Sequence, residues 1–253
     1  MNNLKKKLNG LKLAGMALTL EARHEYALAN KLSYTEFLEL ILEDEYSNRS
    51  SNSYTRRYSR SKLSNEKTIQ AYDFSYQPEL DKKLVTDLAA CRFIKDKKNV
   101  ILMGNPGVGK SHIANALGIE ALKLGHKVLF THASGLVEKL YSSRGDSTYS
   151  SVLKSYTEAD LLIIDELGFK KISQNNVDEF FEIIRLRYEK GSIIITTNRN
   201  FEDWSQIFGD AVLASAIIDR LVHHAYVIKI TGPSYRVKEY MKSAKTKKNL
   251  NEN

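Results

Sequence analysis

Val100-Ile101-Leu102-Met103, followed by Gly104-Asn105-Pro106-Gly107-Val108-Gly109-Lys110-Ser111-His112, is the stretch on which the reading of this chain turns. Four apolar residues suit a buried strand, the three-glycine segment a loop, and Lys110 to Leu124 carries a helical pattern. Strand, glycine loop and helix in that order is the context a phosphate-binding loop requires. Glycines let successive backbone N–H groups turn inward around a phosphate, and the helix N-terminus adds positive potential. Lys110 is placed to reach the β- and γ-phosphates, and the Ser111 hydroxyl to ligate Mg²⁺. Gly104 to His112 are therefore the candidate ATP contacts, with ATP and Mg²⁺ the expected cofactors.

Downstream, Val/Ile/Leu-rich segments alternate with helical ones. Candidate strands are Val100–Met103, Lys127–Thr131, Leu161–Asp165, Ser192–Thr197 and Tyr226–Ile230. Candidate helices are Glu79–Ile94, Lys110–Leu124, Ser134–Tyr141, Asn175–Lys190 and Ala211–Leu221. Such alternation predicts an α/β fold with a parallel sheet covered on both faces. Ligands in such sheets bind at the carboxyl ends of the strands.

The apolar run Leu161–Ile164 ends there in Asp165-Glu166. Asp165 reads as the Mg²⁺-side carboxylate and Glu166 as the base that activates water, an arrangement for ATP hydrolysis rather than nucleotide binding alone. Asn198, after the Ser192–Thr197 strand, offers an amide for the γ-phosphate or the attacking water, although alone it reads as a turn residue. Arg220 and Arg236 are candidate transition-state cations. For Arg220, a surface ion pair with Asp219 is the competing reading.

The flanks have a different character. No run of about 18 apolar residues occurs, so no membrane span is expected, and Lys5, Lys6 and Lys7 precede no signal-peptide core. The single cysteine, Cys91, suits a reducing cytoplasm, where the protein is expected to reside. The net charge of +8 gathers at the edges. Residues 4–46 read as helical throughout, with Ser33 and Glu36 forming a capping box. Residues 47–65, rich in Ser, Asn, Arg and Tyr, read as a linker with some helical potential.

Arg49, Arg56, Arg57, Arg60 and Lys62 are the candidate DNA contacts, against the alternative of a solvated linker. Tyr54 and Tyr58 lie among them, suited to stacking or backbone contact. No histidine shows zinc-like spacing with cysteines, so no structural metal is expected. Tyr72 and Phe74, just before the core, are candidate neighbours of the adenine.

With these elements in place, the chain resembles the AAA+ ATPases and, within them, the IstB-like insertion-sequence ATP-binding proteins, a sibling group of the DnaC-type helicase loaders. The resemblance covers nearly the whole chain. It is carried by Leu11–Met16, Phe74–Pro78, the glycine loop, Leu161–Gly168, Arg187–Asn198 and Trp204, and most specifically by Gly209–His224 with Gly232–Arg236.

The resemblance implies a P-loop core with a five-stranded parallel sheet, Asn198 as sensor 1, Arg220 as an arginine finger reaching a neighbouring subunit, and Arg236 as sensor 2. It also implies a homo-oligomer assembled with ATP on double-stranded DNA, serving a cognate DDE-type transposase. A DnaC-type replicative helicase loader is the alternative. A small-molecule or nucleotide kinase is the third reading, disfavoured by the basic flanks, the trans-acting arginine candidate and Glu166. The expected organisation is a helical DNA-binding and assembly domain at 1–66, an ATPase domain at 67–240 without a full lid, and a basic, disordered tail at 241–253.

Overall fold

A computed structural model of the chain describes residues 1–238, the side chains of residues 174 and 175 excepted. The tail expected at 241–253 and the last residues of the 67–240 stretch lie outside the described residues. The chain divides into two units, Met1–Ser59 and a second that begins at Arg60.

The first unit is helical: α1 (Asn2–Gly10), α2 (Ala14–Asn30) and α3 (Tyr34–Ser61). The reading of 4–46 as helical throughout is broken at Lys12 and Lys31, which turn the chain with φ of 60° and 55°. Ser33 and Glu36 form the capping box: the Glu36 carboxylate accepts the Ser33 N–H at 2.7 Å, and the Ser33 hydroxyl accepts from Glu36 N.

Helix α2 has no side-chain cap of its own. Glu45 of α3 supplies one, accepting the N–H groups of Gly15 and Met16 at 2.7 and 3.2 Å. This needs a close approach of the helices, and a Cβ at Gly15 would lie 2.7 Å from Asp44 O and Glu45 Cα. Arg23 grips Asp44 through two bonds of 2.8 and 2.7 Å.

The linker reading is corrected for residues 47–61, because α3 runs unbroken to Ser61. Its nucleus is set by the capping box, so poor helix formers downstream need only propagate it, at a few tenths of a kcal/mol each. Contacts one turn apart assist: Asn52 donates to Asn48 at 2.7 Å, and Tyr54 stacks on Tyr58.

The second unit opens with α4 (Lys82–Ala89) and α5 (Arg92–Lys95), then runs β1 (Asn99–Gly104), α6 (Lys110–Lys123), β2 (Val128–His132), α7 (Ala133–Ser143), α8 (Tyr149–Thr157) and β3 (Leu161–Leu167). It continues through α9 (Gln174–Arg187), β4 (Ser192–Thr197), α10 (Trp204–Phe208), α11 (Ala211–Val222) and β5 (Ala225–Ile230). All pairings are parallel, in the order β2-β3-β4-β1-β5. The five predicted strands are those observed. Leu161–Ile164 is fully buried, as a central strand covered on both faces must be.

The single helix read over Glu79–Ile94 is two, divided at Cys91, whose φ is 54°. Helices α8 and α10 had no counterpart in the sequence reading.

One core joins Leu136, Leu162, Phe180, Trp204 and Ile217 on one face of the sheet. At its edge the guanidinium of Arg187, 1% exposed, donates to the carbonyls of Tyr156, Ala159 and Ser192 at 2.7–2.8 Å. Burial lowers its pKa to about 10, against the opposing pull of Asp160. Among the described residues no helix is long and apolar enough to cross a membrane.

Candidate functional site

The glycine loop joins the carboxyl end of β1 to α6. Gly107 and Gly109 hold φ of 82° and 99°, values at which a side chain is strained. A Cβ at Gly109 would also stand 2.6 Å from the Tyr72 ring. Lys110 Nζ donates to the carbonyls of Gly104 and Asn105, both at 2.8 Å. Burial lowers the pKa of this ammonium, and the nearby Arg236 adds to the effect, while Asp165 and Glu166 oppose it.

Beneath the loop, the Ser111 hydroxyl donates to Asp165 Oδ1 at 2.7 Å. Asp165 is 3% exposed, and the Thr196 hydroxyl donates to the same oxygen at 2.5 Å. An anionic carboxylate and a hydroxyl facing each other are hard oxygen donors, the set that suits Mg²⁺ completed by water and phosphate. The residues present fit that ion.

Glu166 follows at φ 62°, at a register irregularity of β3 between Ile164 and Leu167. A left-handed conformation is costly for a non-glycine residue and tends to mark a functional position. Here it accompanies an exposed Glu166 carboxylate beside the buried Asp165. The Glu166 N–H donates to the Thr196 hydroxyl at 2.9 Å. His132, paired in register with Asp165, brings Nδ1 to 3.4 Å from Glu166 Oε2 and 3.8 Å from Asp165 Oδ2.

A second wall comes from the segment after β5. Tyr235 N–H donates to Gly107 O at 2.9 Å. The Tyr76 hydroxyl donates to Ser234 O at 3.3 Å, and the Gln77 amide to Pro233 O at 3.0 Å. Tyr72, Tyr76, Gln77, His112, Tyr235 and Arg236 so enclose a cleft of about 500 Å³ beside the loop, within the size range of small-ligand sites. Burial pushes the Tyr72 hydroxyl up to about 12, so it stays neutral and donates to Val108 O at 3.3 Å. Phe74 does not line the cleft; it packs edge-on against Tyr72.

Asn198 lines a smaller cleft with Gly104, Asn105 and Lys229 at the same end of the sheet. Lys110, Ser111, Asp165, Glu166, Asn198 and Arg236 thus all gather around the carboxyl end of β1. Arg220 does not join them. It donates to Ala216 O at 2.9 Å and lies over the Phe181 ring. The carbonyl of adjacent Leu221 accepts from the side chain of Asn99, where β1 begins. The six-residue strand separates that end from the glycine loop by about 16 Å.

Among the basic residues of α3 and its exit, Arg49 is tied to Glu45 at 2.6 Å and to Lys12 O at 3.1 Å. Arg57 donates to Ser53 Oγ at 2.6 Å. Arg56, Arg60 and Lys62 are exposed.

Sequence reasoning overlooked Thr196, His132, Tyr76 and Gln77. The signal available for Thr196 was a hydroxyl at the end of the otherwise apolar run Ile193–Ile195; the others reach the site only through strand register and long-range packing.

The family described as IstB-like ATP binding protein matches residues 6–243. The "Insertion sequence IS21 putative ATP-binding protein" of Pseudomonas aeruginosa is 39% identical over 249 residues, covering 98% of this chain and 94% of the relative. The corresponding IS5376 protein of Geobacillus stearothermophilus is 38% identical, with 90% and 91% covered. Among solved structures, AMPPCP-bound DnaA from Aquifex aeolicus aligns with a TM-score of 0.58 at 22% identity, covering 72% of this chain and 57% of that one. DnaI aligns with 0.57 at 24%, covering 68% and 96%. These likenesses are of fold: the P-loop AAA+ architecture.

Proposed function

The chain belongs to the IstB-like ATP-binding protein family, and from that premise we propose that it is a DNA-dependent ATPase serving the transposase of an insertion sequence. On this reading it assembles with ATP on double-stranded DNA and stimulates transposition. The observation that carries the hydrolytic part is the constellation beneath the glycine loop, in which Ser111, Asp165, Thr196 and Glu166 are linked by three hydrogen bonds.

In this reading the loop N–H groups and Lys110 hold the triphosphate, and the aromatic cleft beside them takes the adenosine. Lys110 exchanges its two loop carbonyls for phosphate oxygens. Ser111 and Asp165 would hold Mg²⁺, which would supply charge neutralisation at the triphosphate. Thr196 fixes the orientation of Asp165 and the backbone of Glu166. The Glu166 carboxylate stands clear of the strand, where it accepts a proton from the attacking water. Asn198 positions that water or the γ-phosphate, and Arg236 meets charge on the phosphates. Arg220 cannot reach its own chain's loop, which supports a role at a neighbouring subunit's site.

The 1–66 segment is proposed as the DNA-binding and assembly domain and 67–240 as the ATPase domain. Arg56, Arg57, Arg60 and Lys62 are the DNA contacts carried forward; Arg49, already ion-paired, is the least available of the original set.

The test is ATP turnover together with sizing, with and without duplex DNA and no other protein. ATP-dependent assemblies on the duplex with stimulated turnover are expected. A monomer indifferent to duplex DNA would overturn this reading in favour of the helicase loader.

A further inference from the structure

Two turns at the amino end of the sheet bring together three side chains that the nucleotide chemistry does not use. Glu189 lies in the turn between α9 and β4, and His223 and His224 in the turn between α11 and β5. One ligand atom from each lies within 4.8 Å of the others, and all three residues are exposed. His224 Nε2 stands 3.6 Å from Glu189 Oε1. Tetrahedral zinc, with bonds of about 2.0–2.1 Å, places its ligand atoms about 3.4 Å apart. The His224–Glu189 pair is nearly at that spacing, and His223 brings a ring nitrogen within 4.8 Å of both.

Two further observations point the same way. The Tyr188 hydroxyl lies 2.8 Å from His223 Nδ1. With that phenol accepting from Nδ1–H, the Nε2 lone pair of His223 is the one that faces a cation. A hydrogen bond to the second ring nitrogen is the usual support of a metal-binding histidine. Glu189 also holds φ of 57°, an αL position that favours Gly or Asn, yet a carboxylate stands there.

We propose that Glu189, His223 and His224 form a zinc site, with Tyr188 orienting His223 and a fourth position open to water or to a partner's side chain. Two imidazoles and one carboxylate are an established donor set for this ion. The sequence expectation of no structural metal rested on spacing along the chain, whereas these ligands come from turns far apart in sequence. The backbone beneath is tied to the sheet: Asn99 N–H of β1 donates to His224 O at 2.7 Å.

Zn²⁺ binding to the metal-stripped full chain, by competition with a chromophoric chelator in excess Mg²⁺ and ADP, tests the site. One Zn²⁺ per chain is expected, weakened about 100-fold or more by His224→Ala and Glu189→Gln, and about 10–100-fold by Tyr188→Phe. Glu189→Gln replaces an exposed side chain by its isostere, so it gives the reading should His224→Ala fold poorly. Unchanged affinity in Glu189→Gln overturns the proposal. So does Zn²⁺ binding that disappears with His132→Ala alone, which would put the ion beside Asp165 and Glu166 instead.

Discussion

Thr196 Oγ1 lies 2.5 Å from Asp165 Oδ1 while accepting the backbone N–H of the following Glu166. One buried hydroxyl on β4 therefore sets both consecutive carboxyl residues of β3. Thr196→Val keeps the shape and β-propensity but removes this link. ATP turnover should fall about 10–100-fold, the usual cost of losing a supporting hydrogen bond at a metal site. A raised Mg²⁺ requirement should accompany the fall. Turnover and Mg²⁺ dependence equal to wild type would refute the role.

Glu166→Gln should bind ATP with little change yet turn it over about 10²–10⁴-fold more slowly, the contribution of a positioned general base. DNA-bound assemblies should then outlast those of the wild type. Filter binding with radiolabelled ATP and single-turnover kinetics separate the two effects. Weak ATP binding would mean that the carboxylate holds the nucleotide instead.

Because Arg220 sits at the far end of the strand from its own glycine loop, Arg220→Ala should leave ATP affinity intact and depress turnover, by up to about 10³–10⁵-fold. Lys110→Ala should be inactive for want of phosphate binding. An equimolar mixture of the two should regain activity at about a quarter of its interfaces, where an intact loop meets an intact arginine in a head-to-tail contact. A mixture as inactive as its components would assign Arg220 a structural role.

Stability of the Met1–Ser59 unit should depend on acid. Arg23 beside Asp44 holds that carboxyl below its usual range, and Arg49 together with the Gly15 and Met16 N–H groups does the same for Glu45. Depressed native values contribute stability that is full above the unfolded carboxylate range and is lost as pH falls through them. Hydrogen exchange in α2 and α3 should therefore accelerate below about pH 4. Glu45→Gln should flatten that dependence and leave the unit less stable at neutral pH. Exchange that ignores pH, once the chemical rate is corrected, would contradict the assignment.

Gly15→Ala ordinarily favours a helix, but here the methyl meets backbone atoms of α3 at 2.7 Å. The clash should outweigh propensity and destabilise the unit by about 1–3 kcal/mol. Chemical denaturation followed by circular dichroism reads the sign, and a stabilised variant would show that the helices part easily.

The sheet, the glycine loop and Asp165-Glu166 were legible because each is written in contiguous residues with a distinctive pattern. Thr196 and His132 were not, because they arrive through strand register. Likewise Tyr76, Gln77 and Tyr235 form one wall of the cleft only after the chain has crossed the whole domain. The misreading of residues 47–61 has another cause. Local composition there disfavours a helix, but a helix already nucleated at Ser33 and Glu36 extends through it.

If Arg220 completes a neighbour's site as proposed, its place at the opposite end of the sheet from the glycine loop gives each subunit a polarity, a giving end and a receiving end. An open row of n such subunits completes n − 1 sites and leaves one orphan, so its catalytic capacity per chain rises with length. Only closure into a ring fills every site, and a two-fold symmetric dimer built on any other surface fills none. Turnover per chain, followed against protein concentration, would therefore report the geometry of assembly before any image of it exists.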